Sequence, residues 1–394
     1  MPLGIYISVP FCPTKCSYCN FSSDVFSRAI FENYVNQVCA DLEHGPQTAF
    51  EMGGHFETVV DSIYLGGGTP TMLEETQLAR IFAAVRRQFD VSPTAEITVE
   101  CAPGTLTDIM LATLLGCGVN RVSLGVQSFV DQEAAAVGRL HKRSTVLADI
   151  SRLRAAGITN INLDLIAGLP HQTAQSWSFS LTEVIASGVP HLSVYLLEAD
   201  EDSRLGRELL AGGARYHAHF VPDEVAMTEF YLTACEQLDS AGIAQYEISN
   251  FACAGFQSRH NLKYWTRQPY LGFGVDAHSM LFSAGPQIDA VRFASADSLE
   301  QYVNAPSLHR TVVSHQAALE ESLFLGLRLN RGVNLRDLSG KFGCLAEQAL
   351  PALDGLIDEG LLEISGDVVA LTPRGRLLSN EVFERFIVSD KVSS

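Results

Sequence analysis

The chain of 394 residues is long enough for two or three domains, and its 47% hydrophobic and 18% charged residues allow a large buried core. A net charge of −18 without a Lys/Arg cluster argues against nucleic-acid binding, and no apolar run reaches the ~18–20 residues needed to cross a bilayer. Because the N-terminus lacks a signal-peptide pattern, we expect a cytoplasmic protein whose nine cysteines do not form a disulfide framework.

Strands and helices alternate over the first 200 residues. The sequence predicts strands at 3–9, 62–65, 96–100, 119–124, 161–165 and 191–197, and helices at 29–44, 74–89, 107–115, 145–156 and 176–187. Alternation of this kind implies a parallel sheet covered by helices. A doubly wound open sheet is the alternative, but glycine-rich and polar segments end too many strands for one switch point. We therefore predict an α/β fold with an incomplete, TIM-like (β/α)6 barrel that is open on one side.

The pattern changes twice after residue 200. Residues 204–245 are predicted to be helical with an interruption at Gly212–Gly213, and the segments YEISNFA and SRHNLKYW follow. From about residue 315, helical segments and then a two-stranded wing predict a mostly helical, winged-helix-like C-terminal domain. This region lacks the basic face that DNA recognition needs, so we interpret it as a packing or partner module. The predicted domains are 1–200, 201–310 and 311–394.

Three cysteines, Cys12, Cys16 and Cys19, stand near the N-terminus in the spacing CxxxCxxC, and the next cysteine is Cys39. Three thiolates can hold three corners of a 4Fe–4S cubane and leave the fourth iron open, whereas an electron-carrying cluster usually has four cysteine ligands. The alternatives are three incidental cysteines or a zinc site that lacks one ligand. Neighbouring aromatic residues would shield a cluster from water, and we include one of them, Phe21, among the predicted cofactor contacts.

Further polar and glycine-rich signals follow the predicted strands. Gly66–Thr71, GGGTPT, is either a simple turn or a backbone cradle for an amino-acid moiety. Glu100, Gln127 and Asp164 stand near three successive strand ends, where such side chains can bind ribose hydroxyls. Singly, each would be a helix cap or a solvated end. Arg139 is either a partner for a ligand carboxylate or an ordinary surface arginine.

Two histidine-containing segments are candidates for binding iron. His260 begins the segment HNLKYW, in which Tyr264 and Trp265 could stack on a flat macrocycle. The alternative is a structural turn with a hydrogen-bonded histidine and buried aromatic rings. His217 and His219, in RYHAHF, form a second possible metal pair, with plain surface histidines as the alternative.

Four features of the sequence occur together: CxxxCxxC, GGGTPT, the Glu and Gln strand ends, and LDLIAGLP. In this combination the chain resembles the radical S-adenosylmethionine (SAM) superfamily in its HemN-like branch. The resemblance covers essentially the whole chain, including a HemN-type region after about residue 310. It implies a cluster on the three cysteines whose electron cleaves SAM to methionine and a 5′-deoxyadenosyl radical. By residue matching it implies contacts of Tyr6 with the cluster, of Gly67, Gly68 and Thr69 with the methionine part of SAM, and of Glu100, Gln127, Arg139 and Asp164 with the rest.

Within this branch the chain is similar to the HemW-type haem chaperones. The coproporphyrinogen III dehydrogenases of the branch have CxxxCxxCxC and a longer N-terminal segment, whereas this chain has Phe21 at the last position of that motif. HemW-type proteins carry HNxxYW, which is HNLKYW here, although Asn20 replaces their frequent Asp. The similarity implies that haem is bound, with His260 as candidate ligand, and is delivered to acceptor haemoproteins, for which respiratory proteins at the membrane are one candidate class. It also implies an electron donor. Oxygen-independent coproporphyrinogen III dehydrogenation and plain electron transfer remain the alternatives.

Overall fold

The computed structural model describes residues 1–198, 200–283, 285 and 288–387. Its first half contains six parallel strands that pair in chain order. The strands are β1 Leu3–Val9, β2 Val59–Gly67, β3 Asp90–Cys101, β4 Arg121–Gln127, β5 Asn160–Ala167 and β6 His191–Leu196. The intervening helices are α1 Phe31–Glu51, α2 Glu75–Gln88, α3 Asp108–Gly116, α4 Asp131–Ala136, α5 Arg143–Ala155 and α6 Ala174–Ser187. This confirms the predicted (β/α)6 arrangement, although the sequence did not predict α4.

The barrel is incomplete because its two edge strands pair with other strands and not with each other. The next elements are α7 Arg204–Leu210, α8 Glu224–Ser240, β7 Ala244–Gln245, β8 Asn250–Ala252, α9 Arg259–Trp265, β9 Tyr270–Gly274, β10 His278–Phe282, β11 Ile288–Ser295, α10 Leu299–Asn304 and β12 Leu308–Ser314. Strand β6 pairs with antiparallel β8, and β1 pairs with parallel β9, so the sheet has twelve strands. Short 3-10 helices lie at Arg28–Ile30, Pro70–Met72 and Arg215–Phe220.

The interior of the barrel is unusually polar. Asn162 on β5 donates hydrogen bonds to Ser123 Oγ on β4 at 2.7 Å and to Ser193 Oγ on β6 at 3.2 Å, and all three residues are buried. Alternating residues of these strands, such as Val122 and Leu163, belong to the main hydrophobic core. Because side chains alternate across a strand, the apolar residues and the polar residues occupy opposite faces. The polar face leads to the carboxyl ends of the strands, where the candidate site lies.

The C-terminal region is a second, mostly helical unit. Its elements are α11 His315–Leu327, β13 Val333–Asn334, α12 Leu335–Phe342, α13 Cys344–Asp358, β14 Leu362–Ser365, β15 Val368–Leu371, α14 Pro373–Leu377 and α15 Ser379–Glu384. Strands β13, β15 and β14 form a small sheet, in agreement with the predicted winged-helix pattern. Arg267, after α9, binds Glu321 of α11 and Asp289 of β11 at 2.8 and 2.9 Å, so buried ion pairs join this unit to the barrel.

The three predicted domain boundaries stay predictions, and residues 388–394 of the third domain lie outside the described residues. Among the helices that the structure describes, none combines the length and the hydropathy that a membrane span requires.

Candidate cofactor site

The three cysteines of the CxxxCxxC motif lie on one loop after the carboxyl end of β1. The loop is closed by a hydrogen bond that Cys12 N–H donates to Asp24 O at 3.0 Å. Inside the loop, the Lys15 ammonium donates hydrogen bonds to the carbonyl oxygen of Phe21 at 2.8 Å and to that of Ser23 at 2.6 Å. All three cysteines are free thiols and line one cavity of about 670 Å³. The spacing of the motif therefore brings these three cysteines together, and Cys101 at the end of β3 lines the same cavity.

Positive charge surrounds these thiols. Arg139 Nη1 lies 3.5 Å from the Sγ of Cys16, and Lys15 Nζ lies 3.8 Å from the Sγ of Cys19. Burial raises the pKa of the Cys12 thiol, while hydroxyl groups near its sulfur lower that pKa. Two cations beside a set of three sulfur donors suit a site for metal-bound thiolates, because the cations offset the thiolate charge. The donor set and its surroundings therefore fit an iron–sulfur cluster.

A single metal ion fits the same residues less well. Within the described part of the chain, no three His, Cys, Asp or Glu side chains converge on a position that could hold one ion. A cubane carries its irons at separate corners, so its cysteine ligands lie further apart than the ligands of one zinc ion.

The glycine-rich loop after β2 packs against the cysteine loop. A Cβ placed on Gly68 would lie 2.6 Å from the carbonyl oxygen of Val9 and 2.9 Å from that of Phe11, and one on Gly67 would lie 2.7 Å from the hydroxyl of Ser8. Gly67 also has φ +90°, a conformation that glycine adopts without strain. Thr69 N–H then donates to Phe11 O at 2.8 Å. The two glycines are therefore required by close contact with the end of β1 and with Phe11 at the start of the cysteine loop.

Two half-buried carboxyl groups, those of Glu100 and Asp164, face the same cavity. Glu100 accepts a hydrogen bond from the hydroxyl of Tyr64 at 2.8 Å, and burial together with the nearby Asp164 raises the pKa of Glu100 to about 7. Asp164 accepts from Asn162 Nδ2 at 2.8 Å and from Ser123 Oγ at 3.0 Å, and burial raises its pKa as well. A ligand that donates hydroxyl hydrogens to these groups would stabilise their charged forms.

Gln127, at the end of β4, has an unusual backbone and an unpaired side-chain atom. Its φ is +66°, in the left-handed region where a residue other than glycine carries strain, and the β4–β5 register shifts between Gly125 and Gln127. Its Oε1 is buried without a hydrogen-bond partner among the described residues, and the residue lines the cavity. Arg139 donates to Gly125 O beside it. An acceptor left free at such a position suits a ligand with hydrogen-bond donors.

The structure brings most of the predicted site residues together. Those that line the large cavity are Cys12, Cys16, Cys19, Phe21, Gly67, Gly68, Thr69, Glu100, Gln127, Arg139 and Asp164. Tyr6, on β1, is half-buried and lines a smaller cavity of about 280 Å³, to which Phe21 and Gly67 also contribute. Phe21 is 66% exposed at the rim.

The sequence reasoning missed several residues that line the large cavity. Tyr64 on β2 and Ser193 on β6 are two of them. Both lie within their strands, whereas the residues predicted from the sequence stand near strand ends. His141 is a third: its pKa is lowered to about 4 by burial and by the charge of Arg139. No sequence signal marked His141, because its position depends on how the chain after α4 folds over the cavity.

His260, the candidate haem ligand, has no free ring nitrogen in the structure. His260 lies on α9, and this helix covers the amino-terminal end of the barrel, where Lys263 donates to Pro2 O at 2.8 Å. The imidazole is 1% exposed, with Nδ1 3.0 Å from Ser62 Oγ and Nε2 2.9 Å from Tyr264 Oη. Burial and nearby cations lower its pKa to about 3. Both ring nitrogens therefore have hydrogen-bond partners, as expected for the alternative of a structural turn with a hydrogen-bonded histidine.

Comparisons with known proteins agree with this geometry. The model of the Radical SAM superfamily matches residues 6–180, and that of the HemN C-terminal domain matches residues 313–378. Proteins named heme chaperone HemW are similar over nearly their whole length: the protein of Bacillus subtilis is 34% identical (97% of this chain, 98% of that protein) and that of Escherichia coli is 30% identical (98% of each). Among solved structures, coproporphyrinogen III oxidase (HemN) of E. coli, described as a radical SAM enzyme, superposes with a TM-score of 0.82 at 22% identity (98% of this chain, 90% of that one).

The fold and the arrangement of the three cysteines thus define a protein of the radical SAM type. The chain belongs to the radical SAM superfamily and, within it, to the HemW family.

Proposed function

We propose that this protein carries a 4Fe–4S cluster and SAM, binds haem, and delivers the haem to acceptor haemoproteins. The observation that carries the cofactor assignment is one cavity shared by the three motif cysteines and by eight of the nine residues predicted to contact cofactors. Cys12, Cys16 and Cys19 would hold the cluster and leave one iron open. When both cofactors are bound, the cluster and SAM together supply one-electron reductive cleavage of a carbon–sulfur bond of the sulfonium.

The residues of the cavity have separate parts in this proposal. Gly67, Gly68 and Thr69 would border the methionine part of SAM, next to the cysteine loop. Glu100 and Asp164 would accept hydrogen bonds from its hydroxyl groups, and Gln127 would use its unpaired Oε1 in the same way.

The haem part of the proposal is supported by the relatives that carry the name heme chaperone HemW over almost the whole chain. It is also supported by Phe21, which stands where the dehydrogenases of the branch have a further cysteine. The likeness to HemN shows a shared fold only.

The test begins with anaerobic reconstitution with iron and sulfide. We expect about four irons per chain, an EPR spectrum of the reduced cluster that changes when SAM is added, and uptake of haem that can be passed to an apo-haemoprotein. The triple variant Cys12→Ala/Cys16→Ala/Cys19→Ala should lose the cluster and keep its fold. A wild type that binds no haem would contradict the carrier assignment. Conversion of coproporphyrinogen III to protoporphyrinogen under reducing conditions would favour the dehydrogenase instead, and a cluster insensitive to SAM would favour simple electron transfer.

A further inference from the structure

Three histidines and a phenylalanine meet on the surface beside the carboxyl end of the barrel. His171 lies in the loop after β5, and His217 and His219 lie in the 3-10 helix that ends at Phe220. The N–H of His171 donates to Phe220 O at 2.9 Å, and the rings of these two residues lie 4.1 Å apart. The ring of His219 also packs against Phe220, with 4.0 Å between the two ring centres. The segment RYHAHF thus gains a partner, His171, that the sequence did not reveal.

The contact with His171 orients the imidazole of His217 and leaves the Nε2 atom of His217 free within the part of the chain that the structure describes. His171 Nε2 lies 3.1 Å from His217 Nδ1, a distance suited to one N–H···N hydrogen bond. Partial burial and the two neighbouring histidines lower the pKa of His171, which favours its neutral, accepting form. When His217 Nδ1–H donates to it, the lone pair of His217 Nε2 is available, and within the described residues that atom has no hydrogen-bond partner.

This is the pattern found at metal-bound histidines, in which one nitrogen binds the metal and the other donates to a second residue. The other candidate, His260, does not offer it, since both of its nitrogens are engaged inside the barrel. His191 is likewise engaged at both nitrogens, by Asn162 and Tyr246. His217, in contrast, is exposed at the protein surface.

The surroundings of His217 suit a flat, apolar ligand that carries carboxylates. Phe220 is 47% exposed and Tyr216 is 38% exposed. Tyr216 directly precedes His217, and the ring centre of Phe220 lies 6.4 Å from that of His217. The guanidinium of Arg204 lies 5.6 Å from the centre of the Tyr216 ring, where it can pair with a carboxylate. Haem combines a planar apolar ring with two propionates, so this surface matches its chemistry.

The backbone at this site is held in an uncommon conformation. His171, Tyr216 and His217 have φ values of +69°, +54° and +60°, in the left-handed region that residues other than glycine seldom adopt. Three such residues in one contact store conformational energy, which is typical of segments that are shaped for a ligand.

Helix α7, which contacts this segment, is attached to the cysteine loop. Arg204 donates a hydrogen bond to Lys15 O, and Leu205 N–H donates to Ser17 O at 2.7 Å. A haem on His217 would therefore sit beside a helix that is anchored to the loop of the three motif cysteines.

We propose that His217 Nε2 is the axial ligand of the carried haem, that His171 holds this imidazole in position, and that the porphyrin lies against Phe220. This inference rests on the proposed function as a haem carrier. It assigns the ligand to the RYHAHF segment and not to the HNLKYW segment.

The experiment titrates the full-length, anaerobically reconstituted protein with haemin and follows the Soret band and the ferric EPR spectrum. The variants are His217→Asn and His171→Asn, because asparagine tolerates a positive φ, with His44→Asn on the exposed face of α1 as the control. We expect His217→Asn to raise the Kd for haem at least tenfold and to abolish the histidine-ligated EPR signal. His171→Asn should raise the Kd about tenfold. His44→Asn should change neither quantity.

Two results would overturn the inference, and they can be told apart. If the wild type binds no haem, the carrier function and the ligand assignment both fail. If the wild type binds haem and His217→Asn binds it with the same Kd and the same EPR spectrum, the assignment to His217 fails while the carrier function stands. Iron content and Tm, measured for each variant, show whether the fold and the cluster are intact.

Discussion

The guanidinium of Arg139 lies 3.5 Å from the sulfur of Cys16, although 123 residues of chain separate them. The same guanidinium donates to Gly125 O at the end of β4. One side chain therefore joins the cysteine loop to the strand that carries Gln127. This contact places a fixed positive charge directly beside one of the thiols proposed to bind the cluster. The sequence-based expectation that Arg139 serves a ligand carboxylate stays a prediction.

We predict that Arg139→Met lowers the reduction potential of the bound cluster. Loss of a cation disfavours the reduced, more negative form, and Coulomb's law with an effective dielectric constant near 20 gives a change on the order of 100 mV. Arg139→Lys retains the charge and should stay close to the wild type. Anaerobic redox titration followed by EPR measures both variants. Equal potentials in Arg139→Met and the wild type would show that the guanidinium charge does not act on the cluster.

A second prediction concerns the pH dependence of SAM binding. The pKa of Glu100 is raised to about 7, so at pH 6 most of this carboxyl group is protonated in the ligand-free protein. If it accepts hydrogen bonds from SAM as a carboxylate, SAM affinity should fall several-fold between pH 8 and pH 6. Isothermal titration of the reconstituted protein measures this slope. Glu100→Gln should bind SAM more weakly and with little dependence on pH.

The same group has an opposite effect on the stability of the ligand-free protein. An acid whose pKa is raised on folding stabilises the fold below its unfolded-state pKa and loses this contribution as the pH rises through the folded-state value. Unfolding free energy should therefore decrease between about pH 4.5 and pH 7, by up to about 3 kcal/mol for Glu100. Glu100→Gln should remove this part of the decrease in urea unfolding, whereas Glu363→Gln on the exposed face of β14 should not.

A further prediction tests the contact of the glycine loop with the end of β1 and the start of the cysteine loop. Gly68→Ala places a methyl group 2.6 Å from the carbonyl oxygen of Val9 and 2.9 Å from that of Phe11, so the glycine loop or the chain at Val9–Phe11 must move. We expect a loss of about 1–3 kcal/mol in unfolding free energy and a lower iron content after reconstitution. Gly116→Ala is the matched control, since its Cβ would meet nothing within 4 Å, and it should keep the full iron content. Normal iron content in a destabilised Gly68→Ala would show that this contact does not shape the cluster loop.

The sequence was sufficient for the barrel because local signals specify it. Strands β1 to β6 contain apolar runs, and β2, β4 and β5 are followed directly by Gly68, Ser128 and Gly168. The motif CxxxCxxC lies within one loop, so spacing alone brings its thiols together. Most cavity residues could be predicted for the same reason, since parallel strands place their carboxyl ends at one side of the sheet.

Tertiary contacts explain what the sequence could not provide. His260 and His217 stand in similar aromatic surroundings in the sequence, yet one is buried under the barrel and the other is exposed beside His171. That difference depends on α9 covering the amino-terminal end of the strands, which no local pattern indicates. The bond from Tyr64 to Glu100 similarly depends on the pairing of β2 with β3.

The last prediction separates the structural role of His260 from haem binding. His260→Ala removes the partners of Ser62 Oγ and Tyr264 Oη and leaves a cavity, so unfolding free energy should fall by about 2–4 kcal/mol. Haem affinity should stay within about twofold of the wild type at a temperature where the variant is folded, because neither ring nitrogen faces a ligand. Urea unfolding and haemin titration measure the two quantities, with His44→Ala as the exposed control. A folded His260→Ala that loses haem uptake while His217→Asn retains it would return the ligand to the HNLKYW segment.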